Sequence, residues 1–325
     1  GDGSTDDSAA ITLCLDSGAE NVFVPEGIFV ATGLSVPSTV NRIYGPGTIK
    51  HKTNASEDMI SIADSNLTLD GITLDGDKGN QTGRHDLLRA ELLTARYLTL
   101  SNVKFNNHVA SSIYLNSLLS GTKVRVNDCD FLDPAESTSD TSVSYPNQSL
   151  CFYIQNAKNA HVDVTGCTFH QTTATNLLRQ PAGIQFAGYY GTSTGLAITA
   201  SGTTLTDTNN SFTADDVGDW VLIEGAGAAG VKLETRIASY TGVGEVEVED
   251  AAATTVSSAT GYWSTNEFSV TVTDNEFYQI GNAANPSSAI DIYQFAQNVI
   301  IKNNTIRKSP YGGIRVANSY NSTIE

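Results

Sequence analysis

The sequence predicts an all-β chain wound as a right-handed parallel β-helix, with an N-terminal capping helix and a small inserted β-domain. Three observations predict it. One nine-residue pattern occurs six times, each occurrence is followed by a second alternating strand, and the Glu/Lys-rich faces of helical proteins are missing. Of 325 residues, 40% are hydrophobic and only 16% charged, so the polar surface must come mainly from Ser, Thr, Asn, Gln and Gly.

The chain opens GDGSTDDSAAITLCLDSG. Asp6 and Asp7 fit the N-cap and first turn of a short helix and Gly18 fits its end. Ile11, Cys14 and Leu15 would then face the first coil. The next segment, NVFVPEGIF, alternates as a strand and turns at Pro25-Glu26-Gly27. A stack of coils exposes an open core and strand edges at its end, and an amphipathic helix covers them. GDGSTDD is therefore read as hinge and cap rather than as an ion site, because EF-hand spacing and a Walker lysine are both absent. Gly1 is not an initiator Met and no signal peptide is present, so a trimmed or partial N-terminus is expected.

The repeat runs NLTLDGITL, YLTLSNVKF, KVRVNDCDF, HVDVTGCTF, SVTVTDNEF and NVIIKNNTI. Its second place holds Leu67, Leu98, Val124, Val162, Val270 and Val299. Its ninth holds Leu74, Phe105, Phe131, Phe169, Phe277 and Ile306, and its seventh holds Ile72, Val103, Cys129, Cys167, Asn275 and Asn304. Period-two alternation broken by a two-residue polar kink describes two strands turning a corner with one face buried. Repeats of this length without helices stack as coils. Cys14, Cys129, Cys151 and Cys167 show no CxxC pattern and are read as small buried apolar residues.

Second strands follow at LLRAEL, SIYLNS, CFYIQN, GIQFAG, AIDIYQ and GIRVAN. Their outward places form two rows along one face. One is Arg89, Tyr114, Tyr153, Gln185, Asp291 and Arg315; the other is Glu91, Asn116, Gln155, Ala187, Tyr293 and Ala317. Coils stack about 4.8 Å apart, so the ribbon is about 24 Å long. Aromatic rings and forked amide, carboxylate and guanidinium groups in register suit a sugar chain, which offers flat faces and hydroxyls.

The fourth repeat start is followed by a step of 108 residues, too long for one coil. The excess, at about 191–266, lacks His and Cys and reads as short strands with Gly/Ala turns. The expected organisation is a capped β-helix over 1–190, an inserted β-domain over 191–266 and a continuation over 267–325. Ser322 and Ile324 begin another repeat, so the helix is either left open or continued by further chain.

The opening over residues 1–29, with GDG, DD, a short helix and a V-x-x-P-x-G turn, resembles the pectin-lyase-like family of parallel β-helices, as found in many phage tailspikes. The coil repeat extends that resemblance over most of the chain. FTADDVGDWVLIEGAGAAG also resembles modules of phage tail proteins. The resemblance implies a homotrimer in the virion tail that binds and usually depolymerises a bacterial capsular or O-antigen polysaccharide. The polygalacturonase motifs NTD, GHG and RIK, and the WxDH and RxPxxR motifs of classical pectate lyases, are absent from the sequence.

The formal charge of −17 excludes a nucleic-acid partner, and no apolar run approaches the roughly 20 residues of a membrane helix. Nothing in the sequence calls for a cofactor; Asp70, Asp75 and Asp77 offer carboxylates to a calcium ion, but alternating Asp at coil corners is read as turn chemistry. Hydrolysis of a glycan needs two carboxyls, so Glu91, Asp133, Glu136 and Asp291 are the catalytic candidates; Glu91 and Asp291 lie four coils apart and cannot pair, so Glu91 needs Asp86, Asp133 or Glu136 from a loop and Asp291 an acid the sequence does not identify. Substrate contacts are expected from Arg89, Tyr114, Tyr153, Gln155, Gln185, Tyr293, Arg315 and Trp263. Aromatics at the root of the insertion, Tyr189, Tyr190, Tyr262 and Trp263, with Asp291, Tyr293 and Arg315, form a second focus, where a lyase would use Tyr or His as base and Arg against a uronate. Trp220 is read as core of the insertion. An endo-glycosidase is favoured over a lyase. The alternatives are a non-catalytic receptor-binding adhesin and a secreted bacterial polysaccharide lyase or epimerase of the same fold.

Overall fold

The computed structural model describes residues 1–62, 66–81, 83, 85–91, 97–118, 121–133, 148–158, 160–171, 180–188, 190–264, 268–280, 288–293, 296–309, 312–317 and 321–325. Two compact units are present: Gly1–Ala187 with Ser269–Glu325, and Gly188–Phe268. The second unit begins and ends a few residues outside the 191–266 expected from composition.

In the first unit each coil crosses three parallel sheets in turn, which is the right-handed parallel β-helix. Among the described residues the first sheet has nine strands, from Asn21–Phe23 to Thr323–Ile324. The second also has nine, from Asp2–Asp6 to Thr305–Arg307, and the third has eight, from Leu34–Val36 to Gly312–Val316. The six repeats supply consecutive strands of the first and second sheets. Coils made by Ile28–Ala31, Leu34–Val36, Arg42–Tyr44, Thr48–His51 and Ile60–Ile62 precede them, without the nine-residue signature.

The register is the one the repeat dictates. Leu98 pairs with Leu67 and Val124, and Phe105 with Leu74 and Phe131. The sixth place of all six repeats, Gly71, Asn102, Asp128, Gly166, Asp274 and Asn303, has positive φ, between 53° and 74°. That is the reason only Gly, Asn and Asp occupy it: each coil turns its corner through one left-handed residue. Behind the corner, Phe105, Phe131, Phe169 and Phe277 form a buried stack with centroids 4.8, 4.5 and 4.6 Å apart and rings within 6° of parallel.

The seventh place changes chemistry along the stack. Cys129 and Cys167 are buried thiols in contact, and the hydrogen bond to Cys167 together with burial holds the Cys129 thiol far above its usual range. Asn275 next to them is 2% exposed and fully engaged. It accepts from the Cys167 N–H at 2.8 Å and donates to the Val164 carbonyl at 3.0 Å and to Asn304 Oδ1 at 2.9 Å. Asn275→Ala strips a buried N–H of its acceptor, so stability in a urea melt should fall by about 2–4 kcal/mol.

The N-terminal end departs from expectation in detail. Asp2–Asp6 is itself a strand, parallel to Ile28–Ala31, with Asp2 Oδ1 accepting from Ser4 and Thr5 N–H groups. The helix Ser8–Leu15 follows, but Asp7 makes no side-chain cap; its carboxylate instead accepts from the Val30 N–H at 3.2 Å. Leu15 is the helix's one buried residue, Ile11 is half-buried, and Cys14 is exposed rather than buried like the other three cysteines. The helix turns Leu13 and Cys14 to solvent and buries only Leu15, and an apolar cavity of about 220 Å³ remains between Leu15, Val22, Leu34, Ile43 and Ile60.

The second unit is a closed antiparallel barrel of six strands. In chain order these are Tyr190–Ile198, Thr204–Asp207, Trp220–Ile223, Leu233–Gly242, Glu245–Val248 and Val256–Ser264. Its core gathers Leu196, Leu205, Phe212, Val221, Ile223, Ile237, Val246 and Trp263. No helix among the described residues is long and apolar enough to cross a membrane.

Candidate active site

The outer face of the third sheet carries the predicted row. Arg89 pairs with Tyr114 and Tyr114 with Tyr153; further along, Gln185 pairs with Asp291 and Asp291 with Arg315. The strand holding Gln185 follows the one holding Tyr153 in the sheet. Inward neighbours Ile113, Leu115, Phe152, Ile154, Ile290 and Ile292 are fully buried, which fixes the row outward.

The side chains form a continuous set of contacts at one end. The Arg89 guanidinium lies 4.6 Å from the Tyr114 ring centre, and the Tyr114 and Tyr153 rings are 5.4 Å apart and tilted by 51°. Tyr114 donates to Gln155 Oε1 at 3.3 Å, and Asn156 donates to Asn116 Oδ1 at 3.0 Å. At the other end Arg315 grips Asp291 through two hydrogen bonds of 2.7 Å, and Gln185 reaches the same carboxylate at 3.4 Å.

Where the chain turns from the second sheet into the third, titratable groups of successive coils converge. Asp58 Oδ1 accepts from the Asp86 N–H at 2.7 Å, and Asp86 Oδ1 accepts from the Ser111 N–H at 2.9 Å. Each carboxylate thus ties down the next coil, and Arg89 bridges their outer oxygens, at 3.0 Å to Asp86 and 3.5 Å to Asp58. Burial is the main cause that pushes the Asp86 carboxyl up to about 7, with the Asp58 charge adding to it against Arg89 and Ser111. Near neutral pH Asp86 therefore sits at the midpoint between acid and base. His51, 2% exposed and bonded to the Glu57 carbonyl at 3.0 Å, lies edge-on to His85 in the same corner. Burial holds its pKa below the usual imidazole value.

His108 and Ser112 form a buried polar pair on the next coil. His108 is completely buried with Nδ1 on Ser112 Oγ at 2.8 Å, and burial lowers it to about 3, so it is neutral. Lys78 donates to the Asp133 carbonyl at 3.1 Å. No group of three or more His, Cys, Asp and Glu among the described residues is arranged to hold a metal ion.

The sequence candidates fall out as follows. Glu91 ends the third-sheet strand Leu88–Glu91, opposite Asn116, and its side chain lies outside the described residues, as does that of Tyr293. Glu136, Tyr189 and the 134–147 loop lie outside them too. Asp133 is a left-handed corner residue whose backbone serves Lys78. Asp291 is 7% exposed with both oxygens on Arg315, and Asp86 is 5% exposed with one oxygen on the Ser111 N–H and the other on Arg89, so burial and pairing alone do not separate the two. Three strands lie between the strand of Asp291 and that of Arg89, four steps or about 19 Å at the usual spacing, so Asp291 cannot act with Asp86.

The tryptophan assignments are reversed. Trp263 is 1% exposed and packs on Phe212 at 4.7 Å inside the barrel, so it is not a substrate platform, whereas half-buried Trp220 faces outward. Alternation decides it: Val221 and Ile223 point into the barrel core, which turns Trp220 out.

Sequence reasoning missed Asp58 and His51. A signal existed for Asp58: Asp58-Met59-Ile60 and Asp86-Leu87-Leu88 carry the same Asp-apolar-apolar step into the third sheet one coil apart.

No family model matches the chain, and no curated protein matches it. Among solved structures, the A-module of the Azotobacter vinelandii mannuronan C-5 epimerase AlgE4 aligns at 13% identity with a TM-score of 0.27, over 100% of this chain and 97% of that one. The A-module of the A. vinelandii epimerase AlgE6 aligns at 13% identity with a TM-score of 0.25, over 98% and 96% of the two chains.

Proposed function

We propose that this protein is a polysaccharide-cleaving enzyme, an endo-glycosidase of the phage-tailspike kind, that binds a bacterial capsular or O-antigen chain along the outer face of the third sheet. The observation that carries the reading is the Arg89–Tyr114–Tyr153 stack beside Asp86, a carboxyl that burial pushes up to about 7. The tyrosine rings offer stacking surfaces to sugar C–H faces, and Gln155 and Asn116 offer hydrogen-bond partners to hydroxyls.

In this reading Asp86 gives its proton to the leaving glycosidic oxygen as the Asp58 carboxylate bonds to the anomeric carbon; water then displaces Asp58 from that carbon, leaving its hydroxyl there and its proton on Asp86. Asp58 is the second carboxylate. It stands one coil away, a step of about 4.8 Å, close to the spacing of about 5–5.5 Å used by retaining glycosidases. Lyase chemistry is less well served. It needs a cation to neutralise a uronate, but Arg89 is held between Asp86 and Asp58 and Arg315 is held by Asp291.

A second reading has support of its own. Asp58 and Asp86 each cap a backbone N–H, which is also what a non-catalytic receptor-binding β-helix would ask of them. Incubation with a panel of capsular and O-antigen polysaccharides, read by mass spectrometry, separates the readings. Oligosaccharides carrying one added water support hydrolysis, unsaturated products a lyase, and binding without products an adhesin. The trimer and virion-tail parts of the proposal rest on the opening and FTADDVGDW resemblances. Sedimentation equilibrium should then give three times the 34.4 kDa chain mass.

A further inference from the structure

The inserted barrel shows a second surface that the reading above does not use. Outward positions of four adjacent strands form a grid. Thr192 pairs with Tyr262, Tyr262 with Leu222 and Leu222 with Glu234, while Trp220 pairs with Arg236 one step along. Paired residues of an antiparallel sheet share a face, so Thr192, Tyr262, Leu222, Trp220, Glu234 and Arg236 lie together on the outside. Tyr262 is 37% exposed. Trp220 and Tyr262 are diagonal cross-strand neighbours, a spacing of about 7–8 Å. The Arg236 guanidinium sits 4.7 Å from the Trp220 ring centre and steadies the indole from the next strand.

A barrel does not need two large aromatics on its solvent side, since Leu196, Phe212, Val221 and Trp263 already fill its core. Charge narrows the occupant. Residues 188–268 contain eleven Asp and Glu against Lys232 and Arg236 alone, so phosphate-rich or other anionic ligands are repelled. Two aromatic side chains on adjacent strands, one with a guanidinium over its ring, with the Glu234 carboxylate and the Thr192 hydroxyl on the flanking strands, match an uncharged chain with apolar C–H faces and many hydroxyls.

We propose that the outer face built from Trp220, Tyr262, Leu222, Glu234, Arg236 and Thr192 is a glycan-binding site for a neutral hexose chain, separate from the third-sheet face. It shares the ligand class of the proposed function but not its residues, so either can fail alone.

Trp220 supplies its own reporter, because the other tryptophan, Trp263, is 1% exposed. The full chain is titrated with maltohexaose, cellohexaose, laminarihexaose and mannohexaose while acrylamide quenching of tryptophan emission is followed. At least one oligosaccharide should halve the quenching of wild type, and Tyr262→Ala should weaken that protection at least tenfold. Tyr114→Ala/Tyr153→Ala, altered only on the third sheet, should keep it. Trp220→Phe, which preserves an aromatic ring and the fold, should retain binding by calorimetry, whereas Trp220→Ala should lose it. The inference is overturned if none of the four sugars protects Trp220, or if Tyr262→Ala binds as tightly as wild type. Self-association that depends on Trp220, without sugar protection, overturns it equally.

Discussion

Asp86→Asn should lower the rate of polysaccharide cleavage by two to four orders of magnitude while leaving affinity for the uncleaved chain within a few-fold of wild type. The expectation follows from removing the proton donor but keeping the shape: general acid catalysis is worth about 10²–10⁴ in rate. The amide oxygen that Asp86→Asn introduces would still accept from the Ser111 N–H, so the coil stays tied. The pH dependence carries a second signature. A general acid at about 7 makes kcat/KM of the wild type fall above neutrality, and the variant's residual rate should not follow that profile. Stability supplies a third. The Asp86 pKa is raised on folding from 3.8 to about 7, so its contribution is full below about pH 4 and is lost as pH rises through 7. At about 1.4 kcal/mol per pKa unit the loss is at most roughly 4 kcal/mol. Urea melts at pH 5 and pH 8 should therefore differ by more in the wild type than in Asp86→Asn. Equal slopes would remove Asp86 as a titrating group in this range.

Phe169→Ala should cost about 3–5 kcal/mol of stability; Phe169 is a fully buried core residue and not a candidate site residue. Its ring lies 4.5 Å from Phe131 and 4.6 Å from Phe277, parallel to both. A hole there opens both neighbours of the stack, and strands fixed in register on either side cannot close into it. Phe169→Leu should cost less than half as much. Chemical denaturation of both variants checks the order; equal small losses would mean that the coils, not the stack, carry the cohesion.

These two residues also show how differently fold and site are written in the sequence. Phe169 is legible because a coil repeats one physical problem. The ninth place must fill the same interior volume each time, and the sixth must turn the same left-handed corner, so Gly71, Asn102, Asp128, Gly166, Asp274 and Asn303 announce themselves. The outward row could likewise be read, since alternation from Ile113 and Leu115 fixes Tyr114 outward. Asp58 and Asp86 were harder to see together. Their meeting depends on a hydrogen bond across coils and on burial, neither of which has a period, and both lie just outside the repeat pattern. Arg315 reads in the sequence as a cation for a ligand and is spent on Asp291, a pairing that only strand register could reveal. Trp220 and Trp263 were exchanged because the barrel's inside and outside are set by closure of six strands, not by local hydrophobicity.

The central claim is that the third-sheet face beside Asp86 holds a glycan, and its most direct test is a crystal structure of Asp86→Asn soaked with the longest oligosaccharide that binds. The account predicts sugar rings stacked on Tyr114 and Tyr153, with a glycosidic oxygen beside residue 86. Sugar bound only elsewhere, or a glycosidic bond beyond the reach of residue 86, would contradict it.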